Sequence, residues 1–479
     1  MRGVMVAEPN IATGLSHGDP VAPVIFGVTL ILIAALIGRY TARQLKQPSV
    51  LGELVMGVVL GNLLHFAGFE LMSVLREGVG CTELSGLVMS GLSLEQAVQQ
   101  LVGPEYAAGF LQVVSGPHGR EYLSVAQAVD VFSRYGVIFL LFHIGLDTCV
   151  AQLQRVGGDS LRVALIGVLA PFALGFLVTW WLTPDAPHTQ HMFLGATLGA
   201  TSIGITARVL QDLGQSRSGV AQVVVGAAVM DDVLGLVMLA IVSGIVVTGS
   251  IELDEILRII LLASLFIASV LLLGPHIIRA LIRLLRHMEV VEAKLFIPFV
   301  FVMTLAWLAN LVGLATIVGA FAAGLLMLDS HFQAWGDYRK HKYSIKELFA
   351  PLEAILVPIF FVLMGIQVKL ESFLDPQVLL LSAGLTLVAV LGKLVAGLGV
   401  MGADRRRLAV GIGMMPRGEV GLVFASIGIS LNVIDKAMFS AVLMMVMVTT
   451  LATPPLLKWA LGDSTEGKGP DRSVGKQCQ

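Results

Sequence analysis

Apolar runs of about 20 residues, the length that crosses a bilayer as a helix, recur from one end of this 479-residue chain to the other. In hydrocarbon every backbone amide needs an internal partner, so spanning segments are either helices or the strands of a closed barrel. The runs are continuous rather than alternating, which selects helices. At 56% hydrophobic and 13% charged, the chain carries well under the roughly one-quarter charged residues of soluble domains. An all-α polytopic membrane protein follows. Hydropathy windows predict about 13 transmembrane helices, near 21–40, 49–67, 130–147, 161–182, 191–210, 220–246, 255–275, 294–311, 313–330, 351–369, 377–400, 406–430 and 436–460. The stretch 68–129 is the one long loop in this reading, and its apolar portion SGLVMSGLSLEQAVQQLVG predicts a short surface helix.

Lys and Arg set the orientation. Loops on one face hold Arg39, Arg43 and Lys46; Arg279, Arg283 and Arg286; Arg339, Lys340, Lys342 and Lys346; and Arg405, Arg406 and Arg407. The alternate loops hold far fewer, Arg2, Arg76, Arg120, Arg134, Arg258, Lys369 and Lys436, so the basic face is expected to be cytoplasmic. That places the 1–20 segment and the 68–129 loop outside and the 461–479 tail inside. The first 20 residues lack the apolar core and cleavage site of a secretory signal, so the first hydrophobic segment is expected to be retained. Cys81, Cys149 and Cys478 are widely separated and give neither a disulfide framework nor a CxxC metal spacing.

Charges at membrane depth are costly, and this chain keeps several. Asp231 and Asp232 sit side by side in VVVGAAVMDDVLGLVMLAIVSG (223–244). One such carboxylate costs about 2.5–3.5 kcal/mol on an insertion scale, and intramembrane charges are functional by default. Adjacent residues point about 100° apart around a helix, so the two acids face different neighbours. Lys393 lies midway along LLLSAGLTLVAVLGKLVAGLGV, too deep to snorkel easily. The expected arrangement pairs one aspartate with Lys393 and leaves the other to bind an ion in a water-filled cavity. A purely structural ion-pair cluster is the competing reading. Arg417 and Glu419, beside Pro416 and Gly418, either serve the same chemistry or form a local pair that satisfies broken backbone.

Two apolar segments are interrupted. HMFLGATLGATSIGITARVLQDLG (191–214) carries Gly195, Gly199, Thr201, Ser202 and Gly204; AVGIGMMPRGEVGLVFASIGIS (409–430) carries Gly411, Gly413, Pro416 and Gly418. Unwound backbone survives at this depth only when buried or lining a cavity. Paired interruptions in the two halves of a chain point to a transporter's binding site, where freed carbonyls and hydroxyls ligate cations. Close packing of small residues is the bland alternative.

These strings resemble a known family. GATSIGITARVLQDLG followed by VVVGAAVMDDVLGLVMLAIV is similar to the core of bacterial sodium/proton antiporters in the monovalent cation:proton antiporter superfamily. QPSVLGELVMGVVLGN (47–62), FLLFHIGLD (139–147), PIFFVLMGIQV (358–368) and MMPRGEVGLVFASIG (414–428) resemble further signatures in the same order. The likeness spans roughly residues 25–460. It implies an inverted-repeat antiporter fold with two crossed broken helices. The ion-transport core would be 161–246 and 377–460, the dimerisation domain 21–147 and 294–369, and 255–275 a linker helix. The core would move like an elevator against a static homodimer interface in a bacterial inner membrane.

Residue by residue, the resemblance makes Asp232 the ion- and proton-binding carboxylate and Asp231 the salt-bridge partner of Lys393. Thr201 and Ser202 would form the polar crossover, and Glu419 an acid of the second one. Na⁺ (or Li⁺ or K⁺) and H⁺ are the implied substrates, with no cofactor and no nucleic-acid partner. Competition of Na⁺ and H⁺ for Asp232 would couple their fluxes. Breaking the Asp231–Lys393 pair would free a second proton, because burial disfavours an ammonium without its counter-ion. Exchange would then be electrogenic. Three rivals stand against this: K⁺/H⁺ exchange, an intramembrane aspartyl protease and a receptor on a transporter scaffold. The protease places its aspartates on different helices in GxGD contexts, which this chain lacks; the receptor would show a large soluble domain, which the short tail lacks, and the absence there of a Gly-rich nucleotide fingerprint argues against the ligand-gated potassium-efflux subgroup.

Overall fold

The computed structural model describes residues 19–462 apart from 20, 78–79, 103, 149, 249–252, 286–287, 333–342, 372–375, 402–403, 419–420, 422–423, 426, 429–430 and 432. The 1–20 segment except Asp19, the tail beyond Gly462, and Glu419 therefore lie outside the described residues. All regular structure among the described residues is helical. In chain order the helices are α1 (Ala22–Gln44), α2 (Ser49–Phe66), α3 (Glu70–Glu77), α4 (Gly80–Met89), α5 (Leu94–Leu101), α6 (Pro104–Val114), α7 (Gly119–Asp147), α8 (Val150–Leu182) and α9 (His188–Thr197). They continue as α10 (Ile203–Asp212), α11 (Gly219–Thr248), α12 (Leu253–Leu284), α13 (Val290–Leu311), α14 (Thr316–Leu326), α15 (Ile345–Ile366), α16 (Pro376–Ala396), α17 (Asp404–Gly413) and α18 (Lys436–Leu461).

Among the described residues, ten helices are long and apolar enough to cross a membrane. Three expected spans are not continuous helices of that length. The 191–210 run is broken into α9 and α10, the 406–430 run is interrupted by irregular backbone over 415–418 after α17, and the 313–330 run contains the 11-residue α14. Several boundaries also move. The 130–147 span is the apolar half of a 29-residue α7, and 161–182 belongs to a 33-residue α8. Hydropathy sees the part of a helix that lies in hydrocarbon; its polar ends carry the same backbone bonds unseen.

The 68–129 stretch is not a loop. It holds α3 to α6 and the first turns of α7. Helices α3 and α5 are amphipathic, and all four are only 8–11 residues long, too short to span a bilayer. Met72, Val74, Leu75, Ala97, Val98 and Phe110 bury their side chains against Ile31, Ala34 and Ala35 of α1 and Val125 and Val129 of α7. A capping box, Ser93 with Gln96, starts α5 by satisfying two of the amide donors that a helix N-terminus leaves free. A polar staple ties this insertion down. Arg76 Nη2 donates to both Glu371 oxygens (2.7 and 2.6 Å) and to Asn62 Oδ1 (3.1 Å). Asn62 in turn donates to Val58 O and Val368 O (2.9 and 2.8 Å) and accepts from Leu370 N. Lys369 meets Glu77 at 2.6 Å; burial lowers its amine below the usual lysine value, and Glu77 opposes that.

The long helices pack into two groups. In one, α7 lies between α14 and α15, α2 packs on α1 and α15, and α13 covers α14. In the other, α8 packs on α11, α16 and α9, and α18 packs on α16 and α17. The glycine contacts are tightest where helix backbones touch: a Cβ on Gly52 of α2 would overlap the carbonyl of Gly38 on α1. Short α10 bridges the groups, touching α2 and α7 on one side and α11 and α18 on the other.

Candidate cation site at the crossing of two broken helices

Helix α9 ends at Thr197 and α10 begins at Ile203, leaving 198–202 outside both helices. Helix α17 ends at Gly413 and is followed by irregular backbone over 415–418. Pro416 explains that stop: it offers no amide hydrogen and disfavours helical backbone at Met415. The two interruptions lie against each other. Ser202 N donates to Pro416 O at 2.9 Å, Thr206 Oγ1 to Gly413 O at 2.5 Å, and Thr201 Oγ1 to Met414 O at 3.4 Å. Thr450 of α18 supports the second strand of the crossing from behind, donating to Arg417 O at 2.5 Å.

Two cations converge on the freed carbonyls at the C-terminal end of α9. Lys393 Nζ donates to Gly199 O at 2.7 Å and lies 3.2 and 3.5 Å from the two oxygens of Asp231. Arg417 Nη1 donates to the same Gly199 O at 3.1 Å and, closer still, to Ala200 O. The carbonyl end of a helix carries partial negative charge, so both cations sit where the dipole favours them. Asp231, Lys393 and Arg417 are each 0% exposed. Gly167 of α8 makes room for the ammonium: a Cβ there would stand 3.2 Å from Nζ.

The aspartates differ in setting. Asp231 is sealed against Lys393, whereas Asp232, one residue on, is only half-buried. Thr201 and Ser202 are buried at the crossing. Arg417 reaches across to the facing carbonyls; the alternative of a local Arg417–Glu419 pair concerns a residue outside the described set. The sequence reading missed the backbone partners, Gly199 O and Ala200 O, which no side-chain pattern announces. It also passed over Glu53, His143, Arg208 and Glu353, all buried in helices. All four fall inside expected spans, three as charged residues and one as a histidine.

Helical spans, paired interruptions and buried opposite charges at their crossing describe a secondary ion transporter. Residues 31–461 match the family model described as the transmembrane sodium/hydrogen exchanger, and this chain belongs to that family of monovalent cation:proton antiporters. It is 34% identical to the high-affinity Na⁺/H⁺ antiporter NhaS3 of Synechocystis sp., over 97% of both chains. It is 29% identical to the Na⁺/H⁺-K⁺ antiporter GerN of Bacillus cereus, over 91% of this chain and 96% of that one. Among solved structures, the sodium proton antiporter MjNhaP1 of Methanocaldococcus jannaschii superposes with a TM-score of 0.57 at 19% identity, covering 94% of this chain and 100% of that one. That last likeness concerns the fold.

Proposed function

We propose that this protein exchanges Na⁺ for protons by alternating access, with Asp232 as the carboxylate for which the two substrates compete. The observation that carries this reading is the contrast between neighbours: Asp231 is engaged by Lys393 with no exposed surface, while Asp232 keeps part of its surface. Na⁺ is a hard cation that takes oxygen ligands. Asp232, Thr201, Ser202 and, on rearrangement, Asp231 supply carboxylate and hydroxyl oxygens near the crossing. A carboxylate oxygen that holds Na⁺ does not hold a proton, and this exclusivity couples the fluxes. When Asp231 turns toward the cation, Lys393 loses its counter-ion in a dry site and gives up its proton to water. One Na⁺ then moves against two protons.

In this reading α8, α9, α10, α11, α16, α17 and α18 form the moving core, and α1, α2, α7, α13, α14 and α15 a static dimerising scaffold. Helix α12 links them, and Arg417 holds the crossover carbonyls in place. The Lys/Arg-rich face is cytoplasmic, with the N-terminus outside and the C-terminus inside a bacterial plasma membrane. A K⁺/H⁺ exchanger is the second reading, favoured by the relative whose name includes K⁺.

Reconstituted protein tests these statements together. Li⁺, Na⁺ and K⁺ titrated into one pH-dye assay in proteoliposomes should give the strongest proton movement with Na⁺. An imposed membrane potential should change the exchange rate; a rate indifferent to voltage would rule out two protons per Na⁺. Gly418→Ala probes the crossing itself. Its Cβ would come 2.5 Å from Ser202 Oγ and 2.8 Å from Ser202 Cβ, so the two broken segments must part. Exchange should fall severalfold while the protein stays monodisperse in detergent; unchanged exchange would mean that this contact is not needed.

A further inference from the structure

A second set of buried charges lies away from the crossing, at the Lys/Arg-rich ends of the helices. Glu53 of α2 is 0% exposed and meets Arg39 of α1 at 2.5 Å. Glu353 of α15 accepts from Arg208 Nη1 at 3.1 Å and Gln211 Nε2 at 2.7 Å, both from α10, and lies 2.5 Å from His143 Nδ1 of α7. Arg208 also lies 3.3 Å from Asp212. Asp212 accepts from Ser49 Oγ at 2.5 Å and Val50 N at 3.2 Å, at the start of α2. In the turn after α10, Arg217 reaches Asp147 of α7 at 2.9 Å, which Lys346 also holds at 2.7 Å.

Three observations set this cluster apart from a fixed brace. Its partners come from opposite helix groups: Arg208, Gln211, Asp212 and Arg217 follow the crossing, while Glu53, His143, Asp147 and Glu353 belong to α2, α7 and α15. Its bonding is incomplete, since Glu53 Oε2 is buried without a hydrogen bond among the described residues, and Arg208 Nε meets Asp212 Oδ1 only as an ion pair at 3.3 Å. A buried ion pair offsets its desolvation only when its remaining atoms are bonded, so this one sits in a shallow well. Finally, the two groups face each other elsewhere across a mainly apolar gap lined by Leu54, Val58, Val446, Met447 and Leu451, with Gln367 and Thr450 among its polar residues. Helix α10 is about 15 Å long at 1.5 Å per residue. It carries the crossing at one end and this cluster at the other, so the two move together.

We infer that Arg208, Gln211 and Asp212 form a releasable latch that holds α10 against α2 and α15, closes the Lys/Arg-rich side of the cation site, and opens once in each transport cycle. The inference rests on the exchange function proposed above. Its test is Ser49→Cys with Asp212→Cys, in a chain whose Cys81, Cys149 and Cys478 are serine. Oxidised to the disulfide, this protein should lose at least tenfold in Na⁺-driven proton movement in proteoliposomes, and dithiothreitol should restore the reduced rate. A cross-linked protein that exchanges at the reduced rate overturns the latch. Ser49→Cys alone gives a second readout without a covalent trap. Its labelling by a membrane-impermeant maleimide should run severalfold faster during turnover than without a gradient, and equal rates would also overturn it. If the parent protein moves no protons with any cation, the transport reading fails and the latch with it.

Discussion

Asp232→Asn protein in liposomes is expected to move no protons when Na⁺ is added, to the level of empty vesicles. The substitution keeps the shape of the side chain and removes the only feature that both substrates need, an oxygen able to take either a proton or a cation. Because Asp232 is half-buried rather than sealed, its neutralisation should leave the helix packing and the melting temperature nearly unchanged. The defect would then be in exchange and not in folding. Na⁺-dependent proton movement that survives in this variant would move the ion site elsewhere, with Asp231 as the next candidate.

Lys393→Ala acts on the other aspartate and should damage stability as well as transport. Asp231 has no exposed surface, and the ammonium lies 3.2 Å from its nearer oxygen. Stranding one partner of such a buried pair costs about 3–5 kcal/mol. The same substitution also takes the Lys393 donor from Gly199 O. Arg417 lies within Coulombic reach of Asp231 and softens the loss, but one of its nitrogens is committed to Gly199 and Ala200. Thermal melting in detergent should show a clear drop for Lys393→Ala. Adding Asp231→Asn should recover most of it, since the orphaned charge is then gone. A single variant that melts with the parent would show that the pair carries little of the core's stability.

Where the sequence was legible, a rare residue stood against a uniform background. Two aspartates and a lysine in apolar helices announce themselves, and Asp231 and Lys393 do meet. Gly199 and Pro416 mark the broken segments because glycine and proline change what backbone can do. Other parts left weaker traces. The partners of Arg208, Gln211 and Asp212 lie on separate helices, α2, α7 and α15, and only folding brings Arg208 to Glu353 and Asp212 to Ser49. Most of the insertion α3–α6 hides because its helices are short and, in α3, apolar residues such as Met72 and Leu75 lie on one face. The carbonyls of Gly199 and Ala200, which receive both cations, belong to every residue's backbone and leave no mark in a sequence.

The central claim is that one carboxylate takes either a proton or a Na⁺, and counting protons on the purified protein tests it without a membrane. Na⁺ added to detergent-solubilised protein in weak buffer should release protons, read with a pH dye, in a saturable amount per chain. Asp232→Asn should release none. Na⁺ binding by the parent protein with no proton release, or equal release from the Asn variant, would contradict the account.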